Sequence, residues 1–173
     1  LFRVKKLRTQ LAADEAVISF FTTSRALYAF MLSNKKYLTW RVGSPAKVQN
    51  QLQTLLRAMG HFDGNGELSM ATLADDTWKE SATKLAASLF GNAPENPFAN
   101  IKRVVIVPDG ILWYVPFELL QLNEKPLMES HSFRYSPTVS LSLGDNRNHR
   151  PLRRTAIVDG PFHLRDDEPA RTA

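Results

Sequence analysis

Val104–Val107 reads "VVIV", four consecutive β-branched apolar residues. A strand alternates its side chains between two faces, so such a run has no polar face to give to water. It therefore predicts a strand buried on both sides, the kind found in parallel or mixed sheets with covered faces. Pro108-Asp109-Gly110 ends the run with turn residues, proline fixing φ and glycine allowing φ > 0. A second apolar run, Ile111–Val115, begins at once. The pair poses a choice between a tight hairpin and part of a catalytic architecture. For Asp109 the reading is turn chemistry, with the carboxylate accepting backbone N–H bonds within the turn and no catalytic role.

The remaining chain supplies layers to cover such a strand. Ala16–Phe21, Ala26–Leu32 and Tyr37–Val42 are strand-like runs, and Ser33–Lys36 has hairpin composition. Together they predict an antiparallel meander with Tyr28 and Trp40 as packing anchors. Ser44-Pro45 reads as an N-cap with proline at the first helical position. Val48, Leu52, Leu55, Leu56 and Met59 then recur at helical spacing, and Gly60 stands where a helix ends. His61–Ser69 is a loop. A second helix is expected from Asp75 or Asp76, with a stripe of Trp78, Ala82, Leu85, Ala86 and Leu89 that stops at Gly91. Asn92–Asn100 favours turns. Beyond Val115 come a short helix from Pro116, a strand over His131–Ser136, a helix started by Ser136-Pro137, and a last strand over Thr155–Pro161. A meander, two helices, then strands alternating with short helices predict an α/β domain.

At 173 residues and 43% hydrophobic, the chain is long enough for one domain with a core. Residues 1–165 are read as that domain, and 166–173 as a disordered tail. No uninterrupted apolar stretch is long enough for a membrane span, and the charged N-terminus lacks the apolar core of a secretory signal. Zero cysteines exclude disulfides, thiolate metal sites and a cysteine nucleophile within these residues; this fits a cytoplasmic setting.

The motifs that carry other chemistries are missing. His61, His131, His149 and His163 are scattered without ligand spacing. Asp63–Glu67 opens like a calcium loop, but Leu68 and Ala74 stand where glycine and the second acidic ligand belong. There is no phosphate-binding glycine loop, dinucleotide fingerprint or G-x-S-x-G elbow. Ser130-His131 is not read as a pair, because neighbours on a strand face opposite ways. No cofactor or metal is expected. The net charge of +5 peaks at Asp145–Arg154, where Arg147, Arg150, Arg153 and Arg154 could meet phosphates. No aromatics interleave with them, so a solvated loop is the preferred reading over nucleic acid.

Taken in order, four blocks resemble the CHAT domain, a caspase-like domain of the separase/caspase clan of cysteine peptidases. They are "LAADEAVISFFTTSRALYAFML" (Leu11–Leu32), "VVIVPDGILWYVPFELL" (Val104–Leu120), "FRYSPTVSLSL" (Phe133–Leu143) and "TAIVDGP" (Thr155–Pro161). The resemblance implies a caspase-like αβα sandwich, incomplete here and preceded by the meander. It also implies a histidine/cysteine dyad, in H-x-x-x-H-G and S-A-C segments that follow the block matched by "TAIVDGP". Neither occurs in this chain, so no catalytic residue carries over. The expectation is a piece of a longer protein, inert as given: the non-catalytic N-terminal part of the domain, scaffolding the sheet that positions a downstream dyad. The alternative is a degenerate module that only binds proteins. Expected partners are the rest of the domain, tetratricopeptide repeats, or a peptide or protein substrate. Asp159 and Gly160 would border the substrate cleft. Val104–Val107 and Ala156–Val158, read as strands of an unfinished sheet, imply self-association through an open edge.

Overall fold

The structure of the chain, a computed structural model, describes residues 7–60 and 76–142. The loop His61–Ser69, the arginine block, the Thr155–Pro161 strand and the tail all lie outside the described residues.

The three N-terminal runs form the predicted meander: β1 (Glu15–Thr22), β2 (Leu27–Ser33) and β3 (Tyr37–Gly43), each antiparallel to the next. A hydroxyl closes each hairpin. Thr23 Oγ1 accepts the Ala26 N–H at 3.0 Å, and Ser33 Oγ accepts the Lys36 N–H at 3.0 Å. These side chains satisfy amides that the ladder leaves open, which is why short polar residues sit there.

Helix α1 spans Pro45–Ala58 and α2 spans Thr77–Phe90. Pro45 opens α1 as predicted, but the Ser44 side chain makes no capping bond. Gly60 follows the helix at φ 78°, a left-handed conformation that glycine adopts without steric cost. Gly91 serves α2 differently. Its backbone is right-handed, and a Cβ there would stand 2.4 Å from the Ala87 carbonyl oxygen, so crowding rather than φ demands the glycine.

After the turns of Asn92–Asn100 comes β4 (Arg103–Val107), paired in parallel with β1 on one side and with β7 (Ser132–Tyr135) on the other. A two-residue hairpin, β5 (Gln121–Leu122) and β6 (Lys125–Pro126), had no counterpart in the sequence reading. A short α3 (Val139–Ser142) ends the described chain. The main sheet has five strands in the order β3-β2-β1-β4-β7, so the meander and the parallel part form one continuous mixed sheet. No helix among the described residues is long and apolar enough to cross a membrane.

Strand alternation divides the sheet into two faces. Ile18, Phe20, Ala29, Met31, Trp40, Val104 and Ile106 pack beneath Leu52 and Leu55 of α1 and Leu85 and Leu89 of α2. Trp40 anchors this face as predicted, donating its indole N–H to the Leu89 carbonyl at 2.8 Å. On the opposite face Val17, Leu32, Val105 and Val107 cluster with Leu11, against Leu7 and Val139. Residues on both faces of β4 are therefore buried, as the VVIV run requires.

Two expectations need correction, and one open choice is decided. Tyr28 is not an anchor beside Trp40: it sits opposite Arg41, one position out of phase, and is half-buried on the other face. The choice left open at Ile111–Val115 falls against a hairpin, because Gly110–Tyr114 winds into a 3-10 helix. Nor does Ser136 cap α3. Thr138 does so, its Oγ1 accepting the Leu141 N–H at 3.3 Å, while Ser136 Oγ donates to the Thr138 carbonyl. A fourth point concerns the edge. β4 is an interior strand with a neighbour on each side, so it offers no open edge.

Candidate functional site at the strand ends

β1, β4 and β7 run parallel, so their C-terminal ends meet at one border of the sheet. In open α/β sheets ligands bind at this border, which makes it the place to look for chemistry. At the end of β4, Asp109 is extended and Gly110 turns the chain at φ 55°. That angle lets the 3-10 helix fold back with Leu112 buried beneath it, and Phe117 follows into the core with no exposed surface. Phe117 packs against Phe20 and Tyr135, with ring centroids 5.6 and 6.2 Å apart.

Asp109 does not cap its own turn. Its Oδ2 accepts the backbone N–H of Thr22 at 2.6 Å, tying the end of β4 to the end of β1. The turn's own bond is made by the backbone, the Leu112 N–H donating to the Asp109 carbonyl at 3.2 Å. Spacing along the sequence could not reveal this, since the partner lies in another block. The glycine half of the reading, a φ > 0 turn, is borne out.

A second tie lies one strand over. The Tyr135 hydroxyl donates to Glu118 Oε2 at 2.7 Å. Burial first, and then this bond to the carboxylate, push the Tyr135 phenol well above its usual range, so it stays a neutral donor at any physiological pH. The bond joins "PFELL" to "RYSP", two of the blocks that carry the family resemblance. Their residues touch each other, so the 3-10 turn Phe117–Leu119 is tied to the end of β7. Glu118 and Tyr135 were not singled out in the sequence reading, and their presence within those blocks was the available signal.

At the opposite end of β7, Ser130 and His131 do meet. Nδ1 of His131 lies 2.9 Å from Ser130 Oγ and 3.1 Å from the Leu127 carbonyl oxygen. The alternation argument fails because the strand begins only at Ser132, and Ser130 still belongs to the turn after a 3-10 helix at Leu127–Glu129. Nδ1 either donates to the Leu127 carbonyl or accepts from the Ser130 hydroxyl, according to the tautomer. The ring packs edge-on against Phe98, 5.2 Å between centroids. A recess of about 220 Å³ opens beside it, lined by Asn96, Phe98, Leu122, Lys125 and Pro126 among others.

Two ion pairs brace the far ends of the parallel strands. Arg103 donates to Asp14 at 2.8 Å, and Arg134 donates to Glu15 at 3.4 Å and to the Ser142 carbonyl at 2.8 Å. The guanidinium of Arg103 holds the Asp14 carboxyl below its ordinary value.

Among the described residues no group of three histidine, cysteine, aspartate or glutamate side chains could hold a metal ion. Asp159 and Gly160, the expected cleft border, lie outside the described residues, as do His61, His149, His163 and the arginines of Asp145–Arg154. What the strand ends offer is a rigid border with turn and packing residues, and the chain contains no thiol. A family model, the CHAT domain, matches residues 79–171, more than half of the chain. No curated protein matches it.

Proposed function

This chain belongs to the CHAT domain family, and from that premise we propose that it is the sheet-building, non-catalytic portion of a caspase-like cysteine peptidase domain. Family chemistry of this kind needs a thiolate to attack the scissile carbonyl and a histidine to manage the protons. These 173 residues contain no cysteine and no H-x-x-x-H-G segment, so the dyad must be supplied from outside them. The part of the chain described here gives such a dyad a frame.

The observation that carries the reading is the convergence of three parallel strand ends, where Asp109 fastens the end of β4 to that of β1 and Glu118 fastens the 3-10 turn Phe117–Leu119 to the end of β7. Neither fastening presents a nucleophile. Both fix the border along which further parallel strands would place theirs, and catalytic geometry tolerates little error in that placement. Asp159 and Gly160, after the block matched by "TAIVDGP", would then border the substrate cleft. The substrate class is a peptide or protein, the setting cytoplasmic, and the partners are the rest of the domain and helical repeats. A second reading is favoured by the missing thiol: a CHAT-like module that binds proteins and cleaves nothing.

The test is to extend the reading frame past Ala173 and assay the longer protein on a peptide library. An H-x-x-x-H-G segment followed by S-A-C, with cleavage abolished by replacing that cysteine with alanine, supports the peptidase reading. Absence of both segments together with no cleavage sinks it and leaves the binding module. Replacing Asp159 in an active longer protein should alter peptide cleavage; unchanged rates would remove it from the cleft border.

A further inference from the structure

The face of the sheet opposite α1 and α2 is only half covered. Where β1 meets β4, Val17, Val105 and Val107 are buried against Leu11 and Val139 of α3. Across the meander that cover gives out. Phe21 is 57% exposed and Tyr37 50% exposed, while Tyr28 and Phe30 between them are half-buried. The strand register sets Phe21 opposite Tyr28 and Tyr37 opposite Leu32, with Phe30 on β2 between these pairs. They form a contiguous apolar ladder on a surface that water should otherwise meet with polar residues.

Charge on this face is one-sided. Arg41, Arg103 and Arg134 fall on it by alternation, the last two paired with Asp14 and Glu15, whereas β2, β3, β4 and β7 contain no carboxylate. β1 contributes only Glu15, at its margin and already bonded to Arg134. Asp14 is engaged by Arg103, and Asp109 by the Thr22 amide. The turns at either end of the meander add Arg25 and Lys35, both exposed. An aromatic centre edged by Arg25, Lys35 and Arg41, with no free acid on this face among the described residues, complements an anionic partner.

The shape of that partner follows from the layer already begun. α3 lies on this face at β1 and β4, and an apolar sheet face is ordinarily closed by helices laid across it. We propose that the meander's second face is a docking surface for an acidic amphipathic helix of a partner polypeptide, lying beside α3 and continuing its layer. The helix would set an apolar stripe on Phe21, Tyr28, Phe30 and Tyr37, and its carboxylates toward Arg41 and Lys35. The proposal goes beyond the function above and stands whether or not a dyad exists downstream, because it needs no catalytic residue.

Fluorescence anisotropy on the 173-residue chain tests it, using three designed, labelled peptides. One carries a Leu/Phe stripe at helical spacing with glutamates opposite, one has lysines in place of the glutamates, and one has the acidic composition with its stripe scrambled. The acidic amphipathic peptide should bind about tenfold or more tighter than either of the others. Arg41→Glu and Tyr37→Ser should each weaken it, and added salt should weaken it further. Both substituted residues are exposed, so an unchanged melting curve will show that the fold survives. Equal binding of the scrambled peptide would overturn the proposal. So would a dimer of the chain itself abolished by Tyr37→Ser, or adsorption to vesicles of anionic phospholipid with no preference among the peptides.

Discussion

The two faces of one sheet are built from the same strands, yet they finish differently. Toward α1 and α2, β1 contributes Ala16, Ile18 and Phe20, and β3 contributes Leu38, Trp40 and Val42, all buried. In the other direction β3 presents Tyr37, Thr39 and Arg41 to solvent. Both faces close where β1 meets β4 and at Leu32 of β2, since β4 has no polar residue between Val104 and Val107 to give to water. The difference teaches that most of the described core lies on one side of the sheet, while the other side is closed only in part.

The largest expected effect breaks this comparison directly. Phe117 is fully buried among Phe20, Phe90 and Tyr135, so Phe117→Ala should cost about 3–5 kcal/mol through lost burial and a cavity. Tyr37→Ala, on the open face, should change stability by no more than about 0.5 kcal/mol. Urea unfolding of both variants makes the measurement. Comparable losses would mean that the second face is closed after all.

A smaller effect sharpens the account of the strand ends. Asp109→Ala removes the acceptor for the Thr22 amide, and a lost bond to a charged group costs about 1.5–3 kcal/mol. Because this bond is exposed, the lower end applies. Amide exchange at Thr22 should speed up while amides at the middle of β1 hold their protection. Unchanged exchange at Thr22 would show that Asp109 serves its turn alone.

The smallest effect lies at the other end of the strands. The Asp14 carboxyl is held below its ordinary value of 3.8, chiefly by the hydrogen bond from Arg103. A carboxyl whose folded value is lowered adds stability above its unfolded value and loses it as pH falls through the folded one. Melting temperature should therefore carry a slight extra fall between pH 3.8 and the lowered folded value. Arg103→Ala should remove that component. Since the pair is solvent-exposed, salt should blunt it as well. An identical pH profile in the variant would deny the pair any role.

The sequence made much of this architecture legible, because the relevant signals were local. Alternation in "YLTWRV", helical spacing from Val48 to Met59, and proline and glycine at the helix ends all act within a few residues. They led to the meander, to α1 and α2, and to the two-faced burial of β4. What escaped notice depended on partners far apart in the chain. Nothing near Tyr28 shows that it is out of phase with Trp40, since both lie in apolar strands; register alone decides it. Nothing near Asp109 points to Thr22. The 3-10 course of Gly110–Tyr114 eluded the pattern because a short apolar run fits a strand or a tight helix equally well. Likewise the Glu118–Tyr135 bond could be read only as a resemblance until the two blocks were seen to touch.

The pairing of β1 with β4 also bears on the order in which the molecule assembles. β1 takes β2 through a hairpin of neighbouring residues, a contact that forms within microseconds. Its parallel partner β4 lies beyond both helices, so that ladder must wait for a long loop to close. Chains emerge from synthesis N-terminus first, and the meander can therefore be complete before β4 exists. The matched family region begins at residue 79, within α2, yet its first strand is completed along a ladder that earlier residues provide. A version trimmed to the family boundary would lack that template, and slow or failed refolding is its expected mark.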